Sequence, residues 1–453
     1  MEYFLNNYNF LYPQPPEIKN LVKESYDYKI LVKKSFDDKN PTELLVNKFV
    51  LSMYIGDLNM FVKNSTELEI TPPDYNIFIY YIKLIFNEYY DISLYPQWLY
   101  SLKMLELLDF LNVKVNYETA LSSTFVPKKG LKKYIDILKR YIFQEELQYK
   151  YIARNLTLDF NVEIENKKLL IENLEIPNFV YSYKNVIYIK YANDSPVILE
   201  KLNSDIILEA LATDKIGKYF ILSFYNDKIS NYYQKLYLTN GYLYKTLYLN
   251  DVIIGISSQS KFMISRTFLY DIDGNCLHNF VQTISEFIIY FKFSYDDKYI
   301  FIITYTRKYL ITLEDFSIKK EFELNDLINF DFSSDNNLIF GFKDKIIFYD
   351  INSDNYREEL VSNIDYLSCS IFDTLLLSDS NSISIRDKNG IQNHIPIYSE
   401  FAEFTYNKRY IIYKYNEILC IYDIEKSETI DEFNVFLFIL ISKQGIIKRL
   451  NNI

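Results

Sequence analysis

Glycine is scarce, 9 in 453 residues, and the scarcity removes a whole class of sites. Loops that cradle phosphate need glycines at fixed spacing so that backbone amides can approach the anion. No GxGxxG occurs, and Ile216-Gly217-Lys218-Tyr219 lacks both the upstream glycine and the following Ser or Thr of a P-loop. Histidine is scarcer still. His278 and His394 lie in Cys276-Leu277-His278 and His394-Ile395-Pro396, outside any nucleophile motif or metal-ligand spacing. The three cysteines, Cys276, Cys369 and Cys420, form no CxxC pair, so neither a disulfide framework nor a zinc site is expected. No catalytic residue, cofactor or metal is assigned.

Long hydrophobic runs are missing too. The longest, Val435 to Ile441, is far short of the roughly 20 residues that span a bilayer and reads as a buried strand. The segment from Met1 to Glu17 has no basic start, apolar stretch or small-residue cleavage site. An intracellular protein away from membranes is expected. Net charge is -11, which argues against a general binder of nucleic-acid backbones. One basic stretch stands out, residues 126–154, with Lys128, Lys129, Lys132, Lys133, Lys139, Arg140, Lys150 and Arg154. It reads as the solvated face of a helix.

What the chain does have is aromatics, 45 Tyr and 34 Phe, and a change of period near residue 155. Before it, apolar residues fall at helical spacing. Asp74 is placed to cap a helix carrying Ile77, Tyr81, Leu84 and Ile85, and Pro96 to open one carrying Leu99, Leu102, Leu105 and Leu108. A third helix is expected from Leu131 to about Gln148, with short strands ahead of all three at Tyr28–Lys33, Glu43–Val46 and Glu67–Ile70. After residue 155, short apolar runs follow one another between Asn, Asp, Lys and Ser clusters, the pattern of many short strands.

Two offset repeats organise these strands. Tyr270-Asp271-Ile272, Tyr349-Asp350-Ile351 and Tyr422-Asp423-Ile424 recur, and with Asp315 and Asp387 between them the aspartates are 44, 35, 37 and 36 residues apart. Phe291-Lys292-Phe293-Ser294 is echoed by Phe330-Asp331-Phe332-Ser333, and more weakly by Phe404-Thr405. A period of about 40 with four strands is a propeller blade, and residues 155–453 hold about seven. The recurrent aspartates are read as structural turn residues. The final strand, near 435–442, is expected to join the first blade and close the ring.

The repeat resembles the WD-repeat family in its turn aspartate and Phe-Ser-x-Asp opening, without the family's Gly-His or Trp-Asp dipeptides. Residues 18–118 resemble the BTB/POZ domain through Asp27-Tyr28-Lys29-Ile30-Leu31-Val32, Leu45-Val46-Asn47-Lys48-Phe49-Val50-Leu51, Leu58-Asn59-Met60-Phe61, the strand Leu68-Glu69-Ile70 and the helices after it. The pairing of the two is similar to BTB/POZ and WD-repeat proteins of giant amoeba-infecting DNA viruses. This implies an α+β BTB/POZ-like domain at 18–118 behind an N-terminal extension (1–17), a helical connecting segment (119–154) and a β-propeller (155–453). It also implies a non-enzymatic viral adaptor in the host cytoplasm, a homodimer whose propeller captures protein partners, acting as a substrate receptor for a cullin-type ubiquitin ligase. The interaction residues so implied are Tyr3, Phe4, Leu5, Phe10, Leu11, Asp27, Phe61 and Val62. The hydrophobic-x-Glu turn of cullin binders is replaced here by Lys63-Asn64-Ser65-Thr66-Glu67, which leaves the alternative of an oligomeric or virion-associated scaffold without a ligase link.

Overall fold

A computed structural model describes residues 27–49, 51, 65–86, 95–113, 115–122, 124, 126–156, 160, 162–174, 178–191, 196–333, 335–361, 363–369, 374–379, 381–387, 390–397, 399, 401–404, 410–416, 418–435 and 437–441. The chain divides into two compact units, Met1–Asn155 and Leu156–Ile453. Among the described residues no helix is long and apolar enough to cross a membrane.

In the first unit alternation of apolar residues makes strands β1 (Tyr28–Val32), β2 (Thr42–Val46) and β3 (Glu67–Ile70), ordered β2-β1-β3. β2 runs antiparallel to β1, with Tyr28 opposite Val46, and β3 runs parallel, with Ile30 opposite Leu68. Tyr28, Ile30 and Val32 point into a core completed by helix α1 (Tyr75–Ile85) and helix α2 (Gln97–Phe110). Asp74 caps α1 by accepting from the Ile77 N–H at 3.1 Å, and its carboxylate also pairs with Lys103 on α2, tying the two helices together. Helix α2 follows Pro96 and buries Leu102, Met104, Leu105 and Leu107, more than one face, as its leucine spacing implies.

Helices α3 (Tyr117–Ser122), α4 (Lys128–Tyr141) and α5 (Glu145–Asn155) also belong to this unit. The single helix expected from Leu131 to Gln148 is therefore two. The chain leaves helical geometry at Ile142 (φ -109, ψ 107), and the Gln148 side chain donates to the Ile142 carbonyl at 2.6 Å, restarting the helix behind two acids that suit its N-terminus. The basic stretch is largely engaged within the unit: Lys133 pairs with Glu106 at 2.7 Å, and buried Arg154 lies over the Tyr151 ring.

Among the described residues the second unit, after a short helix α6 (Lys167–Leu174), is seven four-stranded antiparallel sheets. Blade 1 is β4 (Asn178–Tyr183), β5 (Val186–Tyr191) and β6 (Val197–Lys201), with the distant segment Leu437–Ile441 placed beside β4 as its fourth strand. Blade 2 is β7 (Ile206–Thr213), β8 (Tyr219–Asn226), β9 (Asn231–Leu238) and β10 (Leu243–Leu247). Blade 3 is β11 (Gly255–Ile256), β12 (Phe262–Ile264), β13 (Phe268–Asp271) and β14 (Cys276–Asn279), followed by a one-turn helix α7 (Phe280–Ile284). Blade 4 is β15 (Tyr290–Phe293), β16 (Tyr299–Ile303), β17 (Lys308–Thr312) and β18 (Ile318–Phe322). Blade 5 is β19 (Asn329–Phe332), β20 (Leu338–Gly341), β21 (Lys345–Asp350) and β22 (Asn355–Leu360). Blade 6 is β23 (Tyr366–Cys369), β24 (Leu375–Ser378), β25 (Ile383–Asp387) and β26 (Gly390–Ile395). Blade 7 is β27 (Phe401–Phe404), β28 (Tyr410–Tyr415), β29 (Ile418–Asp423) and β30 (Glu428–Asn434). The last strand, β31 (Leu437–Ile441), pairs antiparallel with β4, Ile439 opposite Val180.

The first strands meet one another around the ring. β31 lies against β7, β7 against β11, β15 against β19, β19 against β23 and β23 against β27. Gly255 of β11 leaves room for Phe291 of β15: a Cβ at Gly255 would stand 2.1 Å from the Phe291 ring. Phe401 of β27 meets Phe438 of β31 with ring centroids 5.3 Å apart. This is the organisation of a β-propeller with seven blades and a strap strand closing the first.

In blades 2 to 5 the inner strand ends on a side chain that fastens the next strand. The Ser257 hydroxyl accepts from Lys261 and Phe262 N–H, and the Ser294 hydroxyl from Lys298 and Tyr299 N–H. In blade 2 Asp214 takes this place, accepting from the N–H groups of Gly217, Lys218 and Tyr219 and from the Ser260 hydroxyl of blade 3. Its burial outweighs these donors and pushes its pKa up to about 6.

Two outcomes follow for stability. Truncation after Val435 removes the strap, and the propeller should lose its cooperative thermal transition in circular dichroism; a native-like transition in the truncated chain would mean an open array. Asp214 holds its proton more tightly folded than unfolded, where aspartate titrates near 3.9. Its contribution is thus full below about pH 4 and is lost as pH rises through about 6. Asp214→Asn should flatten the fall of melting temperature between pH 4 and 6, by roughly 1–3 kcal/mol of stability across that window.

Candidate functional site

Lys292, Asp331 and Glu403 share one register position, the third residue of β15, β19 and β27, and Ser368 holds it in β23. Lys215 comes from the turn after β7. Its Nζ lies 3.6 Å from Asp331 Oδ1 and 4.1 Å from the centre of the Tyr295 ring. Blades 2 and 5 are not neighbours, so side chains from both meet only at the axis of the ring. The cluster therefore lines the central channel.

Asp331 is its anchor. It is buried, and its oxygens take Lys292 Nζ at 3.0 Å, the Cys369 N–H at 3.1 Å and the Phe332 N–H at 2.9 Å as well as Lys215. Burial opposes its ionisation, but the charges of Lys292 and Lys215 and the Cys369 N–H outweigh it and hold its pKa below the usual range. Burial likewise works against Lys292, yet Asp331, Tyr290 and Tyr366 raise its pKa well above that of a free lysine. The pair is ionised. Glu403 differs: burial raises its pKa, Asp331 adds to the rise, and Lys292 and Lys215 only oppose it. No hydrogen bond or ion pair joins its carboxylate to any described residue. Burial also raises the hydroxyls of Tyr295 and Tyr366, which stay protonated.

One face of the propeller carries the segments that lead into the inner strands and the hairpins joining second to third strands. On it, Phe287 and Tyr305 are 56% and 81% exposed, beside exposed Ile289, Tyr290 and Ile328. These form one rim. Ile289 N–H bonds the Ile303 carbonyl, Thr306 N–H bonds Glu286, and the Tyr290 ring lies 5.2 Å from Phe330 in the next blade. Tyr290 stands two residues above Lys292 on the same strand, so the rim borders the channel mouth.

The residues singled out from sequence lie elsewhere. Tyr3, Phe4, Leu5, Phe10, Leu11, Phe61 and Val62 fall outside the described residues. The Asp27 carboxylate accepts from the Lys48 N–H at 2.8 Å, at the open end of the β1–β2 pair. Asp271, Asp350, Asp387 and Asp423 end the third strands of four blades, and Asp315 sits in the same turn of another. Asp271 accepts from Asn275 N–H at 2.8 Å, Asp315 from Ser317 at 3.1 Å, Asp350 from Asn352 at 2.9 Å and Asp423 from Glu425 at 3.0 Å. The structure keeps them one per blade and brings none together. Lys215, Lys292, Asp331 and Glu403 all escaped sequence reasoning as site residues; for the last three the available signal was a charge set between apolar residues in Phe-Lys-Phe, Phe-Asp-Phe and Ala-Glu-Phe. Among the described residues no group of three or more His, Cys, Asp or Glu is arranged to hold a metal ion.

No protein-family model matches the chain, and no curated protein does. Among solved structures it is similar to a chain in the crystal structure of the mitotic checkpoint complex, at 12% identity and a TM-score of 0.43, over 57% of this chain and 86% of that one. It is also similar to the dihydro-heme d1 dehydrogenase NirN in complex with DHE, at 11% identity and a TM-score of 0.39, over 60% and 76% of the two chains. Likenesses at these scores carry no weight for the fold, which rests on the strand order.

Removing one partner of the channel pair leaves the other desolvated. Lys292→Met should destabilise the propeller by about 2–4 kcal/mol in urea denaturation, and adding Asp331→Leu should recover a large part of that loss. Additive costs in this double-mutant cycle would show that the two charges are independently solvated.

Proposed function

We propose that this chain is a protein–protein interaction adaptor without catalytic activity. The observation that carries the reading is the apolar rim of blades 4 and 5, where Phe287, Ile289, Tyr290, Tyr305 and Ile328 stand exposed in one patch. Contiguous apolar surface of this kind marks sites where proteins dock. A rigid ring of antiparallel sheets suits that task, because its loops are presented on a scaffold that does not deform.

The first unit is a BTB/POZ-like module that pairs two copies of the chain, and the propeller is a divergent WD-repeat array. The support for the former is the order of its elements: an antiparallel strand pair, a third strand parallel to the first, then two helices packed on that sheet. In this reading the protein is encoded by a giant amoeba-infecting DNA virus, works in the host cytoplasm and brings targets to a cullin-type ubiquitin ligase. The sequence Lys63-Asn64-Ser65-Thr66-Glu67, which lacks a hydrophobic-x-Glu turn, favours a second reading, an oligomeric scaffold with no ligase attached.

Light scattering of the full-length chain at micromolar concentration should give twice 54.3 kDa, and deletion of residues 1–17 should return a monomer. A monomeric full-length chain overturns the pairing. Targets recovered with the chain by proximity labelling should be lost with the double variant Phe287→Ala/Tyr305→Ala, provided that it melts like the parent. A cullin labelled by parent and variant alike, as expected of a partner of the first unit, selects the ligase reading, and its absence from both selects the scaffold.

A further inference from the structure

We infer that the channel mouth receives a lysine or arginine side chain of the bound protein segment, which pairs with Glu403 while a large apolar residue of that segment packs on the rim. The inference rests on the adaptor reading and adds the chemistry of the partner. Of the four carboxyl and amino groups that line the channel, three are engaged with one another: Lys292 and Lys215 both face Asp331, whose remaining capacity is taken by two backbone N–H groups. Glu403 is left. It is half-buried on β27, and no described residue donates to it. A carboxylate taken from bulk water without a donor is an unfavourable arrangement that an entering cation relieves.

The surroundings select the sign of the charge. On the segments and hairpins of blades 5 and 6 at the mouth, Glu323, Asp326, Asp344 and Asp365 are exposed, with Lys343 the exposed base among them. In blade 4 the exposed Arg307 is already paired with Glu321 at 3.0 Å. An approaching cation is drawn to the blade 5 and 6 side of this face, away from the exposed Arg266 of blade 3, whereas an anion entering there would have to pass these acids and then displace Asp331 from its lysines. Aromatic rings line the approach: Tyr366 and Phe401, the first residues of β23 and β27, lie 5.4 Å apart, Phe401 two residues above Glu403. Rings so placed hold the aliphatic stem and the cationic head of a long basic side chain. The exposed rim of blades 4 and 5 supplies an apolar seat across the same channel mouth from Glu403 of blade 7, so the recognised unit is a basic residue with a large apolar one close by in the segment.

The test uses the full-length chain as bait for a random dodecapeptide phage library, with enriched peptides resynthesised and measured by fluorescence anisotropy. Enriched sequences should carry Lys or Arg within two positions of a large apolar residue. Affinity should fall about tenfold or more when that Lys or Arg is replaced by norleucine, and by a similar factor with Glu403→Gln. The two changes together should cost no more than either alone. The peptide-side substitution keeps the test valid even if Glu403→Gln perturbs folding. Acidic or uncharged binders, or no enrichment, overturn the inference. Binders that weaken with Phe287→Ala/Tyr305→Ala but ignore both charge changes overturn it while leaving the adaptor reading in place.

Discussion

Twisted sheets set face to face around an axis leave wedge-shaped seams, and everything else in the propeller depends on filling them. Here the filling is aromatic. The Phe301 ring of blade 4 meets Phe330 of blade 5 with centroids 4.6 Å apart and Phe340 at 5.4 Å, and Phe322 meets Tyr349 edge-on at 5.2 Å. Each such ring buries on the order of 150–250 Å² and adds edge-to-face attraction, so a few per seam suffice to hold blades whose described strands form no ladder with those of their neighbours. The same need explains the composition. A residue without a side chain fills nothing, and Gly255 is kept where a neighbouring ring, Phe291, occupies the space instead.

Hydroxyls and carboxylates do the corresponding work at the channel ends of the blades. Ser257 bonds Asp297 at 2.6 Å and Ser260 bonds Asp214 at 2.6 Å, so blade 3 is stitched to blade 4 on one side and blade 2 on the other. Asp331 extends the principle to blades that do not touch. By drawing Lys215 of blade 2 and Lys292 of blade 4 onto one carboxylate, it converts mutual repulsion of two ammonium groups into a tie across the ring. Glu403 takes no part in this stitching, which is why it is the channel group open to something else.

Much of the architecture was legible in the sequence because a repeating physical demand leaves a repeating residue. The Tyr-Asp-Ile turns mark the ends of third strands because an aspartate there satisfies the amides of a tight turn. The Phe-x-Phe-Ser openings mark inner strands, with their alternate residues buried in the seams and their serine fastening the next strand. Blade 2 and the inner strand of blade 3 hid because other residues meet the same demands: Thr213-Asp214 and Ile256-Ser257 stand where Phe-Ser stands later. The break between α4 and α5 hid because Ile142 remains buried on the helical period although its backbone is extended. The channel site was illegible for a different reason. Lys215, Lys292, Asp331 and Glu403 are ordinary charged residues in separate repeats, and only the closure of the ring sets them on a common axis.

The strap has a kinetic meaning as well as a structural one. β4 is among the first propeller strands to be synthesised, and its inner partner β31 is the last, with blades 2 to 7 between them. A contact of such sequence separation forms late, since the chain entropy of closing so long a loop must be overcome first. Until then β4 presents a row of unpaired backbone groups flanked by Phe179, Val180 and Tyr181, all of which end up buried. That edge is a template for pairing with the wrong strand, including the β31 of another chain. The ring that makes the finished molecule rigid thus leaves a nascent one open at its seam, and the yield of folded protein is governed by how quickly one segment, Leu437–Ile441, finds its own first blade.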